Sequence, residues 1–136
     1  MNDSLFEYAD LNNIFVEYKN IPKNLSLSTE AFGVPFVALD YSLLFNAKDE
    51  QIHLAHEIGH CQTGAFYNIH SPYDIREKHE YKADKWAVHE ILPPDDMISA
   101  MQSGCAEVWQ LAEHFDMPED FIRRAIQIYQ NEELIA

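Results

Sequence analysis

Along residues 14–19 the chain reads IFVEYK, where apolar and polar side chains alternate closely enough for a strand, and NIPKN follows as a turn. A second stretch, FGVPFVALDYSLL at 32–44, is rich in β-branched and aromatic residues and predicts one or two short strands. Pro35, with no N–H to give to a ladder, assigns that stretch to a sheet edge. From there the period changes. Asp49 can cap a helix that runs to about Thr63 and is ended by Gly64. AFYNIHSPYD reads as a loop, with Ser71 or Asp74 as N-cap for a second helix over about 74–91, which Pro93–Pro94 stop. Beyond the prolines every segment reads as helical. PDDMISAMQS begins with proline and acids, as a helix N-terminus prefers, and AEVWQLAEHF and PEDFIRRAIQIYQ follow with a short turn at DM.

Strands gathered early and helices later predict an α+β fold: a small N-terminal β-sheet, two central helices and a C-terminal helical cap. With 136 residues the chain is expected to be one domain, strand-rich over 1–47, carrying its chemistry on helices over 48–92 and capped by helices over 93–136. Hydrophobic residues at 47% and charged ones at 24% are globular proportions. No apolar run approaches the ~18 residues of a membrane span. MNDSLFEYADLNN has no basic flank before an apolar stretch, so the expected compartment is the cytoplasm. Cys61 and Cys105 form no CxxC pair and are expected as free thiols, Cys61 packing on its helix rather than extending a donor set.

Charge narrows the partners. Twenty-three acids against nine bases give −14, and the bases are scattered among acids, which argues against nucleic acid. The last two helices have a helix-turn-helix outline, but Glu107, Glu113, Asp116, Glu119 and Asp120 would repel a DNA backbone.

The chemistry lies in HLAHEIGH at 53–60. His56 and His60 sit one helical turn apart, so both imidazoles reach one ion, while Glu57 points aside and is placed to take a proton from a metal-bound water. HExxH alone is modestly specific. The second helix adds to it: Glu80, Ala83, Asp84, Ala87 and Ile91 share one face by their spacing. That face is otherwise small and apolar, and two buried carboxylates need a positive partner. A cation is one partner; Lys82 and Lys85 are the alternative. Ala83 and Ala87 allow close approach near Gly59, bringing Glu80 to the histidines, and Asp84 is placed to accept the second ring N–H of a ligating histidine.

LAHEIGH, TGAFYN…SP and REKHEYKADKWAVHEILP together resemble the ImmA/IrrE-type zinc metallopeptidases of bacteria and their mobile elements, over roughly residues 30–95 and only loosely on the flanks. The resemblance implies a zincin-like active-site helix and a gluzincin-like set of two HExxH histidines and a downstream glutamate in an ExxA(D/N) segment. Here that segment is Glu80-Tyr81-Lys82-Ala83-Asp84. It also implies a helix-turn-helix repressor as substrate or partner, whose cutting or loss derepresses a mobile element or a stress response.

The expected site is therefore one Zn²⁺ per chain held by His56, His60 and Glu80, with Glu57 as general base and Asp84 behind the ligands. Tyr67 and His70, on the loop between the helices, are candidates for stabilising an oxyanion. His53, one turn before His56, is expected as a partly exposed helix histidine, with the site rim as the alternative; His79 is expected turned elsewhere, and His89 and His114 at the surface. An extended substrate is expected along an edge strand from 32–44. The rival to a peptidase is a non-catalytic, metal-stabilised module that sequesters or remodels a repressor; an antitoxin-like partner module has only the acidic charge in its favour.

Overall fold

The computed structural model describes residues 2–68 and 70–136. Helix α1 (Asp3–Leu11) has only Leu5 and Ala9 as its buried stripe, too little for the sequence to announce it. Strand β1 (Phe15–Lys19) follows, with Val16 and Tyr18 half-buried between exposed neighbours. SLSTEA carries no strand signal, yet it forms β2 (Ser26–Ala31), whose polar side chains suit an edge. Phe32 and Gly33, with φ of 53° and 76°, turn the chain into β3 (Val34–Asp40). Two positive φ values match the twist of a two-residue hairpin, but phenylalanine hides the signal that Asn-Gly would give.

β3 is central, parallel to β1 and antiparallel to β2. The edge position expected for 32–44 is therefore corrected. Pairing with β1 starts at Phe36, opposite Phe15, so Pro35 stands beyond the end of that ladder and breaks nothing on that side. Within the stretch the strand ends at Asp40, which accepts the Ser42 N–H at 3.0 Å and turns Tyr41–Phe45 into a 3₁₀ helix.

Helix α2 (Ala47–Thr63) packs on β2 and β3. Its cap is Asn46, whose side-chain oxygen accepts the Asp49 N–H at 3.1 Å, so the helix starts before the expected Asp49. Gly64 closes it with φ 64°, as the sequence predicts. Leu54, Ala55 and Ile58 are fully buried beneath it. Glu50 is buried too, and Asn2 Nδ2 (3.0 Å) and the Tyr18 hydroxyl both donate to it. Helix α3 (Tyr73–Ile91) starts after Pro72, and Ser71 accepts the Asn68 N–H at 3.2 Å instead of capping it.

Two compact units divide the chain, Met1–Ala87 and Val88–Ala136, and the division falls inside α3. The second unit holds the end of α3 with α4 (Pro94–Gln102), α5 (Val108–Phe115) and α6 (Glu119–Asn131). Pro94 and two acids open α4, while Asp116, at φ 53°, closes α5. On α6, Ile122, Ala125, Ile128 and Tyr129 follow helical spacing and are wholly buried. The Tyr129 hydroxyl donates to the Leu92 carbonyl. His89 is corrected from a surface residue to a half-buried one: its Nε2 pairs with Glu132 Oε2 at 2.8 Å and its ring meets Tyr129 edge-on. No helix among the described residues is long and apolar enough to cross a membrane.

Candidate metal centre

Helix α2 carries His56 and His60 on one face, and α3 carries Glu80 opposite them. The helices meet where α2 has Gly59 and α3 has Ala83. A Cβ on Gly59 would lie 2.6 Å from the Ala83 carbonyl oxygen, so only glycine permits this approach. The result is a tight triangle. His56 Nε2 and His60 Nε2 are 3.2 Å apart, His60 Nε2 lies 3.0 Å from Glu80 Oε1, and His56 Nε2 lies 3.1 Å from Glu80 Oε2.

The second nitrogen of each ring decides what this triangle contains. His60 Nδ1 lies 2.6 Å from the Ala65 carbonyl oxygen. A carbonyl only accepts, so Nδ1 bears the proton and neutral His60 presents a bare lone pair at Nε2. His56 Nδ1 donates to Asp84 Oδ1 at 2.7 Å, which turns its Nε2 the same way. Two lone pairs and a carboxylate thus converge with no hydrogen of their own to share, and a positive species has to sit among them. Zinc bonds of ~2.0–2.1 Å set tetrahedral donors roughly 3.3 Å apart. The observed 3.0–3.2 Å is within a few tenths of that spacing, so these three residues fit the ion.

A proton is the alternative occupant. Burial works against a charged His56, but the bonds to Asp84 and Glu80 outweigh it and push its pKa up to about 10. Burial likewise opposes ionised Glu80, and bonds from His56 and His60 overcome it, holding the carboxyl far below its usual range. Without a metal, then, the site keeps a proton between the histidine and the glutamate.

Tyr67 stands beside the triangle, its hydroxyl donating to Glu80 Oε1 at 2.8 Å. Burial first, then the Glu80 bond, push its pKa up to about 12, so the phenol keeps its proton. His70 is not drawn in: its ring is exposed, and its backbone N–H donates to Asn68 Oδ1 at 2.8 Å. His79 stacks parallel on Tyr67 and is not among the three donors. Cys61 also stays outside, since burial, then Glu57 and Glu30, raise its pKa to about 12 and keep it a thiol.

Glu57 is buried yet does not join the donors. Its Oε2 accepts the Ser26 hydroxyl at 2.7 Å, and Ser26 in turn lies 2.7 Å from His53 Nδ1. The sequence gives no sign of Ser26, because its strand is itself unmarked. It gives no sign of the Ala65 carbonyl either, because a backbone acceptor leaves no trace in residue type. No protein-family model, curated protein or solved structure matches this chain.

Proposed function

We propose that this chain is a zinc-dependent endopeptidase that acts on a helix-turn-helix transcriptional repressor. The observation that carries the reading is the convergence of His56 Nε2, His60 Nε2 and the Glu80 carboxylate, with both Nδ1 atoms engaged elsewhere, beside a buried glutamate that is not among these donors. A closed structural site would complete four protein donors and has no use for such an acid; a catalytic one keeps a position open.

Zinc bound there would polarise a peptide carbonyl and acidify a water. Asp84 and Ala65 hold the two rings in the ligating tautomer. Glu57 accepts the proton of the attacking water and returns it to the leaving amine. Tyr67 keeps its phenolic proton; turned away from Glu80 Oε1, to which it donates here, the hydroxyl would donate to a developing oxyanion. The substrate strand pairs along β2: β3 has neighbours on both sides, and of the two edges among the described residues, β1 and β2, it is β2 whose Ser26 touches Glu57. The repressor as substrate rests on the motif resemblance alone, and the charge of −14 suits a basic partner.

The test is to incubate the zinc-loaded protein with the helix-turn-helix repressor encoded beside it, with and without chelator. A Glu57→Gln variant at equal zinc occupancy runs alongside. Cleavage should vanish with chelator and fall ~10²–10⁴-fold in the variant. Full derepression by a cleavage-dead Glu57→Gln would contradict a peptidase and favour a metal-stabilised module that only binds the repressor.

A further inference from the structure

Ser26 opens strand β2 and is 7% exposed; Glu57, which it touches, is 6% exposed. A serine hydroxyl has one hydrogen and here has two neighbours, Glu57 Oε2 and His53 Nδ1, each at 2.7 Å. The hydroxyl donates to Glu57 Oε2, so His53 must supply its own Nδ1–H to the Ser26 oxygen. The opposite direction would leave two oxygens facing at 2.7 Å with no proton between them. Burial disfavours the charged form of His53, so its neutral ring carries a single proton. Its place is Nδ1, the less common position for a free imidazole.

This order is not that of a serine nucleophile. In a Ser-His-acid triad the histidine stands between the other two and takes the serine proton. Here the serine stands in the middle and donates its hydrogen bond to the acid.

We infer that Ser26, backed by His53, is the positioning residue for Glu57, fixing one carboxylate oxygen so that the other receives the proton of the attacking water. The inference rests on the reading of Glu57 as general base. A glutamate side chain has three free torsions, and one held oxygen removes most of that freedom. The other oxygen, Oε1, accepts no hydrogen bond from the described residues. Misplacing a reacting group by about 1 Å can cost ~100-fold in rate, which sets the size of effect to expect.

The experiment has two arms, both on zinc-loaded protein with zinc content and folding checked for each variant. Long-range ¹H–¹⁵N spectra of histidine-labelled protein report the His53 tautomer without any substrate. The parent should be Nδ1–H, Ser26→Ala should revert to Nε2–H, and Ser26→Thr, which keeps the hydroxyl, should stay Nδ1–H. A parent His53 protonated at Nε2 would overturn the hydrogen-bond order and the inference with it. In the second arm, with the neighbouring repressor as probe, Ser26→Ala should lower kcat by up to ~100-fold at little change in KM, and Ser26→Thr should recover most of it. Full kcat in Ser26→Ala beside an inactive Glu57→Gln would overturn the Ser26 role alone. No cleavage by the parent would overturn the peptidase reading and the inference together.

Discussion

His56 and Asp84, 28 positions apart in the chain, meet through Nδ1 and Oδ1 at 2.7 Å. The carboxylate stands behind an imidazole whose other nitrogen faces Glu80, so it fixes both the ring's tautomer and its direction. Asp84→Asn keeps an acceptor oxygen but loses the charge. Zinc should bind roughly 10–100-fold more weakly with the fold retained. A competition titration with a chromophoric chelator measures this, and an unchanged affinity would take Asp84 out of the site.

Zinc uptake should release a proton. In the metal-free protein the His56 pKa lies at about 10, so at pH 7 the ring is charged and a metal must displace that proton. The sign follows: one displaced proton makes zinc affinity rise about tenfold per pH unit below that pKa. In the metal-free fold the same raised pKa stabilises the folded state fully below about 6.5, and the contribution is lost as pH rises through about 10. Calorimetry at pH 7 in two buffers of different ionisation enthalpy reads the proton count. A binding heat independent of buffer would mean that no proton leaves.

Gly59→Ala sets two effects against each other. Alanine gains up to about 1 kcal/mol of helix propensity over glycine. The added Cβ would meet the Ala83 carbonyl oxygen at 2.6 Å, and that is backbone, which cannot swing aside. Overpacking of this kind costs roughly 1–3 kcal/mol, so the clash should win. The variant should melt lower and lose zinc affinity, because α3 is pushed away from α2 and takes Glu80 with it. A higher melting temperature would show that the helices do not approach so closely.

Nucleic acid should not bind. The helix pair α5–α6 has the outline of a DNA reader, but exposed Glu107, Glu113, Asp116, Glu119 and Asp120 surround it. A mobility shift with generic duplex at ~100 mM salt should show free DNA, since no set of basic residues is gathered to release counterions. Tight association under those conditions would reverse the assignment of partner.

What was legible in the sequence was whatever leaves a mark on residue type. The α+β class, α2 ending at Gly64 and α3 ending before Pro93 follow from period and punctuation. The His56–His60–Glu80 grouping and the Gly59–Ala83 approach follow from helical spacing, which is rigid enough to carry one side chain to another. The sheet order did not follow. Pro35 reads as an edge residue until the register with β1 is known, and register depends on partners far along the chain. β2 was hidden because Ser26 and Ser28 occupy its inward positions where apolar residues would have marked a strand, and Ser26 is there to bond Glu57. His89 was misjudged for the same reason: its partner Glu132 is 43 residues away.

X-ray absorption at the zinc edge, with metal content measured on the same sample, is the most direct test of the centre. The site described here predicts one zinc per chain, two imidazole nitrogens and two oxygens, all at ~2.0–2.2 Å, one oxygen from Glu80 and the other from water. Zinc should be lost in His56→Ala, His60→Ala and Glu80→Ala. A sulfur in the shell at ~2.3 Å would bring Cys61 in and make the site a closed structural one. That result, or full zinc occupancy in Glu80→Ala, would contradict a catalytic centre built on His56, His60 and Glu80.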